Sequence, residues 1–285
     1  MIEAVARPLG EAPVRVEPLS ERGWTRTLVL VLFAIAVPTL IPLEIWAIGV
    51  PAWLGAAFFV LRDPDPAYRR RLGVLLASIA VLTFAPIETD TSNRGYLVLG
   101  AFFLAAILIP TLVLKRTDPH VIDFRVRPYR FRWLDIVYVS IAVPLAYYVI
   151  QWYFFHVNPY MPTQWYLPPE YDDEQVWRLV VGLNSVGIWD ELFFVNICFA
   201  VLRTVHRFWA ANLVQAVVYA AVLYDMAFIG IGPLLVYAFA LTQGSMYEES
   251  KCLLWVLIVH LVIDAFLLES IIAHYYPGHG SFHWF

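Results

Sequence analysis

The sequence predicts an all-α protein, a polytopic transmembrane helix bundle of about nine (eight to nine) spans with a cytoplasmic N-terminus. Hydrophobic residues make up 61% of the 285-residue chain, and its mean hydropathy is +0.67. A soluble domain is usually about 45–50% apolar. Several apolar runs approach the roughly 20 residues that a helix needs to cross a bilayer. Basic residues recur between alternate runs, which is typical of cytoplasmic loops.

The nine predicted spans follow one another with short connections. The first two form a single apolar run interrupted by Pro38, Pro42, Glu44 and Pro51, so they could be a re-entrant pair instead of two crossings. With the N-terminus inside, all Lys and Arg residues except Arg94 and Arg178 fall on the cytoplasmic side. The spans lie at 27–43, 45–61, 72–88, 96–114, 133–155, 175–201, 208–226, 229–246 and 252–273.

The chain divides into three predicted regions. Residues 1–26 form a polar cytoplasmic tail without the apolar segment of a cleaved signal peptide. Residues 27–132 form N-terminal transmembrane helices with basic cytoplasmic loops, and residues 133–285 form a C-terminal core with a candidate site. This organisation suits a multi-pass protein of a bacterial plasma membrane, surrounded by membrane lipids and without a nucleic-acid partner.

The cysteine content gives no sign of a disulfide framework or a metal site. The chain has two cysteines, Cys198 and Cys252, both in or beside apolar segments. Neither has the spacing of a zinc site or a Cys-x-x-Cys motif. Glu191, His260 and Asp264 could be three ligands, but no HExxH or comparable close cluster accompanies them. We therefore expect neither a cofactor nor a metal.

Two adjacent carboxylates, Asp190 and Glu191, interrupt the apolar sixth span in the stretch WDELFFVN. Neighbouring helical residues point about 100° apart, so one can face a cavity while the other bonds to a neighbouring helix. Asp190 lies nearer Val186 and Gly187. A buried carboxylate is suited to take a proton from water. The alternative is a polar pair that packs helices, or a proton path without chemistry.

The last span contains HLVID, in which His260 and Asp264 share a helical face at i, i+4. A carboxylate that orients an imidazole is common in catalytic sites, although the pair could also join helices. In the seventh span Asn212, Gln215 and Tyr219 form a polar stripe. We interpret Asn212 and Gln215 as interhelical hydrogen-bonding groups, and expect that Tyr219 can reach a site.

The remaining polar groups are interpreted as structural. Glu44 lies near a predicted turn, Glu269 lies near the outer end of the last span, and Asp225 could be solvated at the end of the seventh. The eighth span is predicted to pack closely through small and polar residues. These are Tyr237, Thr242, Gln243, Gly244 and Ser245.

The order of these features resembles the CPBP family, the CAAX proteases and bacteriocin-processing enzymes, over about residues 175–273. The family motifs are EExxxR, FxxxH and HxxxN or HxxxD. Here the first reads DELFFV, with Asp190 for the first Glu and Val195 in the Arg position. The second falls on Tyr219 to Leu223 and lacks the His, and the third, from His260 to Asp264, is intact.

The resemblance implies a membrane bundle of about eight spans that hydrolyses a peptide bond with a glutamate-activated water. Carried over, Asp190 and Glu191 are candidates for the base, and His260 is a donor to the oxyanion. Asp264 is the neighbour or orienter of His260, and Tyr219 could supply a hydroxyl in place of the missing His. The implied partner is a membrane-associated peptide or protein substrate.

Two hypotheses follow from the resemblance and from its departures. The first is a CAAX protease-like endopeptidase. The second is a catalytically inactive member of the family that acts as a scaffold, an accessory subunit or a binding partner for lipid or peptide. A small-molecule carrier is less supported, because the sequence shows no inverted repeat and no paired broken helices.

Overall fold

The computed structural model describes residues 23–87, 92–158, 167–224, 226 and 228–279, and within them it contains helices and no strand. The predicted all-α class is therefore confirmed. We number the helices in chain order, treating Asp173–Arg203 as one continuous helix. They are α1 (Gly23–Leu40), α2 (Trp46–Arg62), α3 (Pro66–Leu82), α4 (Asn93–Thr117), α5 (Trp133–Trp152), α6 (Asp173–Arg203), α7 (Phe208–Val222), α8 (Gly232–Ser250) and α9 (Leu254–Tyr275).

Five of the described helices are long and apolar enough to cross a membrane. They are α1, α4, α5 with its extension to Val157, α6 and α9. Helices α2 and α7 are apolar but shorter, at 17 and 15 residues. A membrane protein is thus supported, whereas the count of eight to nine spans stays a prediction. The tail at 1–22 and Asp225 lie outside the described residues.

Helix α3 begins earlier than the predicted span 72–88. Asp65 caps it, because its side chain accepts hydrogen bonds from the backbone N–H groups of Ala67 and Tyr68. Pro66 occupies the first helical position, where a missing N–H costs nothing. The three arginines at 69–71 consequently lie on the first turns of a helix and not in a loop. The apolar pattern alone missed this start.

A buried ion pair joins α1 to the turn between α2 and α3. The Arg26 Nε and Nη2 atoms each donate to a carboxylate oxygen of Asp63, both over 2.8 Å. The Arg26 guanidinium also lies 4.2 Å from the centre of the Tyr68 ring. Burial of Asp63 raises its pKa, but the hydrogen bonds from Arg26 and from the Asp65 backbone, together with the positive charges of Arg26 and Arg69, outweigh burial and leave the pKa below its ordinary value. These contacts therefore stabilise the ionised form of the Asp63 carboxylate.

Helices α7 and α8 pack side by side through polar contacts. The Asn212 side chain donates to the Leu241 carbonyl over 3.0 Å, and Gln215 donates to the Ala240 carbonyl over 3.3 Å. A Cβ atom at Gly244 would collide with the Asn212 amide, so the glycine allows the close approach. The polar stripe on α7 therefore satisfies backbone carbonyls of α8.

Helix α5 is the least embedded of these elements, since only Asp135 and Ile150 are buried on it. It packs on α9 through apolar side chains such as Ile150, and polar pairs join it to α8 and α9. The Gln151 amide donates to Ser270 over 3.0 Å, and Arg132 pairs with Glu249 over 2.6 Å. A cavity separates part of its length from α6.

We predict that Asp63→Asn lowers the free energy of unfolding by roughly 3–5 kcal/mol at pH 7, because it removes the carboxylate that accepts two hydrogen bonds from the buried Arg26 guanidinium. Thermal or denaturant unfolding of the purified protein measures the loss. Since the folded pKa of Asp63 is lowered, its contribution is complete above the ordinary value of 3.8 and disappears as the pH falls through the folded value.

Glu174→Gln is the matched control for this ion pair. Glu174 pairs with Arg178 at i, i+4 on the surface, where such a pair contributes about 0.3–0.5 kcal/mol. Equal stability of the Asp63→Asn and Glu174→Gln variants at pH 7 would contradict a stabilising role for the buried pair.

Candidate active site

Three helices bring polar side chains to one carboxylate oxygen of a fourth helix, Glu191 Oε1 on α6. The Tyr219 hydroxyl of α7 donates to it over 2.9 Å, and the Gln243 amide of α8 donates over 3.0 Å. His260 Nδ1 of α9 lies 2.7 Å from the same oxygen. All four side chains are buried. Residues far apart in the chain thus form one connected polar cluster.

The contacts of His260 determine which ring nitrogen carries a proton. With Glu191 ionised, Oε1 is an acceptor and Nδ1 is the donor in the 2.7 Å contact. The other nitrogen, Nε2, lies 3.5 Å from Asp264 Oδ1 and 4.0 Å from Asp190 Oδ2. Glu191 therefore orients the imidazole through Nδ1, and Nε2 on the opposite side of the ring points toward the two aspartates.

The adjacent carboxylates of α6 have different surroundings. Asp190 is the last residue of the α-helical part, and the helix continues from Glu191 to Phe199 with the wider π-helical turn. Such segments occur frequently at functional sites. Asp190 lines the cavity, whereas Glu191 is enclosed by α7, α8 and α9 and does not line it.

A cavity of about 950 Å³ leads to this cluster between α5, α6, α8 and α9. Asp190, His260 and Asp264 line it, and most of its other walls are apolar. Glu174 and Arg178, near the start of α6, line it as well. Asp190 lies further along α6, about 24 Å from Glu174 at a rise of 1.5 Å per residue. The cavity is therefore long enough for an extended chain.

Several carboxylate oxygens in the cluster have no hydrogen-bond partner within the described part of the chain. They are Asp190 Oδ1, Glu191 Oε2 and Asp264 Oδ2, all in buried positions. Buried polar atoms are usually hydrogen-bonded, so each of these oxygens calls for an explanation. Asp190 and Asp264 line the cavity, where their free oxygens can accept hydrogen bonds from water or from a substrate.

The five candidate residues from the sequence lie together in this cluster. Tyr219 contacts both Glu191 Oε1 and His260 Nδ1, the latter over 2.8 Å. Like Glu191, it does not line the cavity. Its hydroxyl is therefore held behind His260, on the side away from the position a substrate would take. The catalytic roles of the five residues stay predictions.

Gln243 is the residue that the sequence interpretation missed, because it was assigned to helix packing. The sequence does contain one signal for Gln243. Burying an amide with several hydrogen-bonding groups in an apolar span is costly, which indicates that Gln243 has polar partners. Among the described residues, no group of three or more His, Cys, Asp or Glu side chains has an arrangement that could hold a metal ion.

Comparison with known proteins gives one match, and it covers the helices that form the cluster. Residues 172–266, about a third of the chain, match the family model described as "Type II CAAX prenyl endopeptidase Rce1-like". This segment is similar to the Rce1-like family. The match confirms the resemblance to the CPBP family. No curated protein and no solved structure matches the chain.

Two of the departures of the Rce1-like segment from the family motifs, at Val195 and Leu223, have different environments. Val195, in the Arg position, is fully buried in the apolar core. Leu223, in the position of the second-motif His, lines the cavity that also contains His260. The first change therefore removes a charge from the core, and the second replaces a polar group on the wall of the candidate site.

We predict that Gly187→Ala destabilises the Rce1-like segment by roughly 1–3 kcal/mol, as overpacking of a core does. A Cβ atom at Gly187 would collide with Asp264 Oδ2 and would lie 3.1 Å from His260 Cδ2. The substitution therefore has to displace Asp264. Thermal unfolding of the purified variant measures the effect.

Gly182→Ala is the control on the same helix, because its Cβ atom would make only ordinary contact with Tyr96, at 3.6 Å. We expect it to stabilise the protein by about 0.5–1 kcal/mol through helix propensity. If Gly187→Ala were as stable as Gly182→Ala, the close packing of Asp264 against α6 would be wrong.

Proposed function

We propose that the protein is a membrane-embedded endopeptidase of the CAAX protease type that hydrolyses a peptide bond with a carboxylate-activated water. The observation that carries the proposal is the position of Asp190, His260 and Asp264 along a long, mainly apolar cavity, with Glu191 behind the imidazole. The match of residues 172–266 to a family of prenyl endopeptidases supports it.

Asp190 is the general base in this proposal, because the Oε1 atom of Glu191 is occupied by three donors and Glu191 does not line the cavity. The Asp190 carboxylate takes a proton from water as the water oxygen bonds to the peptide carbonyl carbon. When the C–N bond of the tetrahedral intermediate breaks, protonated Asp190 returns that proton to the leaving amine. Such proton transfers typically contribute about 10²–10⁴-fold to a rate.

His260 and Asp264 stabilise the oxyanion. With Nδ1 bound to Glu191, His260 donates from Nε2 in its imidazolium form. Three carboxyl groups and one imidazole are buried together, and unbalanced buried charge is costly. We therefore assign a proton to Asp264, which then donates as the Asn of the family motif would. Tyr219 holds Glu191 in place.

In the membrane, we propose nine crossings with the N-terminus inside and a bacterial plasma membrane as the location. Basic residues at the ends of helices support this orientation, among them Arg62, Lys115, Arg203 and Lys251. This orientation places the start of α9 on the cytoplasmic side, and His260 lies about two turns from that start. The substrate would be a membrane-associated peptide or protein.

A second function, a catalytically inactive family member that binds a lipid, a peptide or a membrane partner, is favoured by Leu223. Its apolar side chain occupies the cavity wall where the family motif has His. Without that imidazole the site has one fewer group to bind an oxyanion. The cavity would still accept an apolar chain.

We predict that purified wild-type protein in lipid nanodiscs cleaves prenylated CAAX peptides, and that Asp190→Asn and His260→Ala each lower kcat/KM by at least about 10²-fold. Cleavage is measured by mass spectrometry of the products. Glu269→Gln, on the same helix as His260, is the control and should cleave as wild type does. Wild-type cleavage that survives both site substitutions would sink the mechanism.

Leu223→His separates the two functions. We predict that this substitution increases cleavage of the same peptides, because it places an imidazole on the cavity wall beside the existing site. The control is Leu223→Met, which keeps an apolar side chain. Absence of cleavage by wild type and by Leu223→His, with both proteins folded, would favour the inactive family member.

A further inference from the structure

Gln243 has a hydrogen-bond arrangement that allows only one orientation of its amide. Its Nε2 atom donates to Glu191 Oε1 and to the Val256 carbonyl, both over 3.0 Å. Its Oε1 atom accepts from the Tyr138 hydroxyl over 2.7 Å. A flipped amide would place its oxygen against two acceptors, so the observed orientation is the one that satisfies every partner.

Another buried glutamine shows what simple helix packing looks like in this bundle. Gln215 on α7 is as fully buried as Gln243, but its amide nitrogen donates to one backbone carbonyl, that of Ala240. Its Oε1 atom has no hydrogen-bond partner in the described structure. Gln243 differs because it contacts Glu191, the side chain that holds His260.

Tyr138 extends this network to the wall of the cavity. It lies on α5, lines the cavity and donates to Gln243, and its hydroxyl is 3.2 Å from Thr242 Oγ1. A second, smaller cavity of about 410 Å³ lies on the other side of Tyr138 and Thr242, near Arg132 and Glu249. Tyr138 therefore separates two spaces and connects α5 to the candidate site.

We propose that Gln243 is a positioning residue for the Glu191–His260 pair and that Tyr138 fixes Gln243 from the cavity wall. Gln243 would act in the proposed peptide hydrolysis, on which this inference rests, without touching the substrate. Among the three donors to Glu191 Oε1, Gln243 does not titrate and has a single allowed orientation. It keeps that oxygen directed at His260 Nδ1, which keeps Nε2 directed at the cavity.

The test is the state of the His260 ring in full-length protein, which can be measured whether or not the protein cleaves a peptide. The protein is labelled with ¹⁵N-histidine in nanodiscs, and the His260 signals are identified by their loss in His260→Asn. We expect the wild-type signal of a protonated, hydrogen-bonded Nδ1. In Gln243→Met this signal should shift or split, because Glu191 Oε1 loses a donor and can rotate.

Gln215→Met is the matched control, because it removes a buried glutamine that does not contact the cluster, and it should leave the His260 signals unchanged. Tyr138→Phe removes only a hydroxyl and tests the same network if Gln243→Met does not fold. It should shift the His260 signals in the same direction but less. Tyr148→Phe, an exposed tyrosine on the same helix, is its control.

Cleavage assays then separate this inference from the proposed function. In an active protein, Gln243→Met should lower kcat by about 10²-fold with little change in KM, as misplacement of a reacting group does. Unchanged His260 signals in both Gln243→Met and Tyr138→Phe would overturn the inference, even if Asp190→Asn abolishes cleavage. If the wild-type protein cleaves nothing but the His260 signals still shift in these variants, the positioning role of Gln243 is supported and the proposed function fails.

Discussion

The Oε1 atom of Glu191 accepts hydrogen bonds from three neighbouring helices, and the arrangement of the C-terminal core depends on it. Tyr219, Gln243 and His260 each donate to this oxygen over 2.7–3.0 Å. An unpaired carboxylate in an apolar bundle is costly, so the four helices have to stay together to satisfy it. The same contacts direct His260 Nε2 toward Asp264 and the cavity. The hydrogen bonds to Glu191 Oε1 therefore both hold the four helices together and set the geometry of the site.

The cavity lies where α5 is separated from α6, although α5 packs on α9 through apolar and aromatic side chains. Gln151 and Arg132 hold its two ends to α9 and α8, and Tyr138 binds Gln243. The middle turns do not pack on α6, which leaves space beside Asp190 and Asp264. An apolar chain can fill this space without displacing the hydrogen bonds of the cluster. The cavity and the hydrogen bonds to Glu191 thus lie on different faces of the same helices.

Much of the candidate site was accessible to sequence reasoning because ionisable groups in apolar spans are rare. Asp190, Glu191, His260 and Asp264 were found in this way, and Tyr219 followed from its helical spacing. Gln243 was not found, because an uncharged amide in a span is equally compatible with helix packing. The start of α3 was placed too late, because its charged first turns lack the apolar pattern and depend on the cap at Asp65.

The sequence by itself determined the helical class, the membrane character and the residues that needed an explanation, because hydropathy and charge are local properties of the chain. It also carried the resemblance that the match at 172–266 confirms. Only the tertiary structure decided that Asp190 lines the cavity while Glu191 lies behind His260, and that Gln243 belongs to the cluster. These assignments depend on which faces of distant helices meet, and helical periodicity alone does not specify the partners of a face.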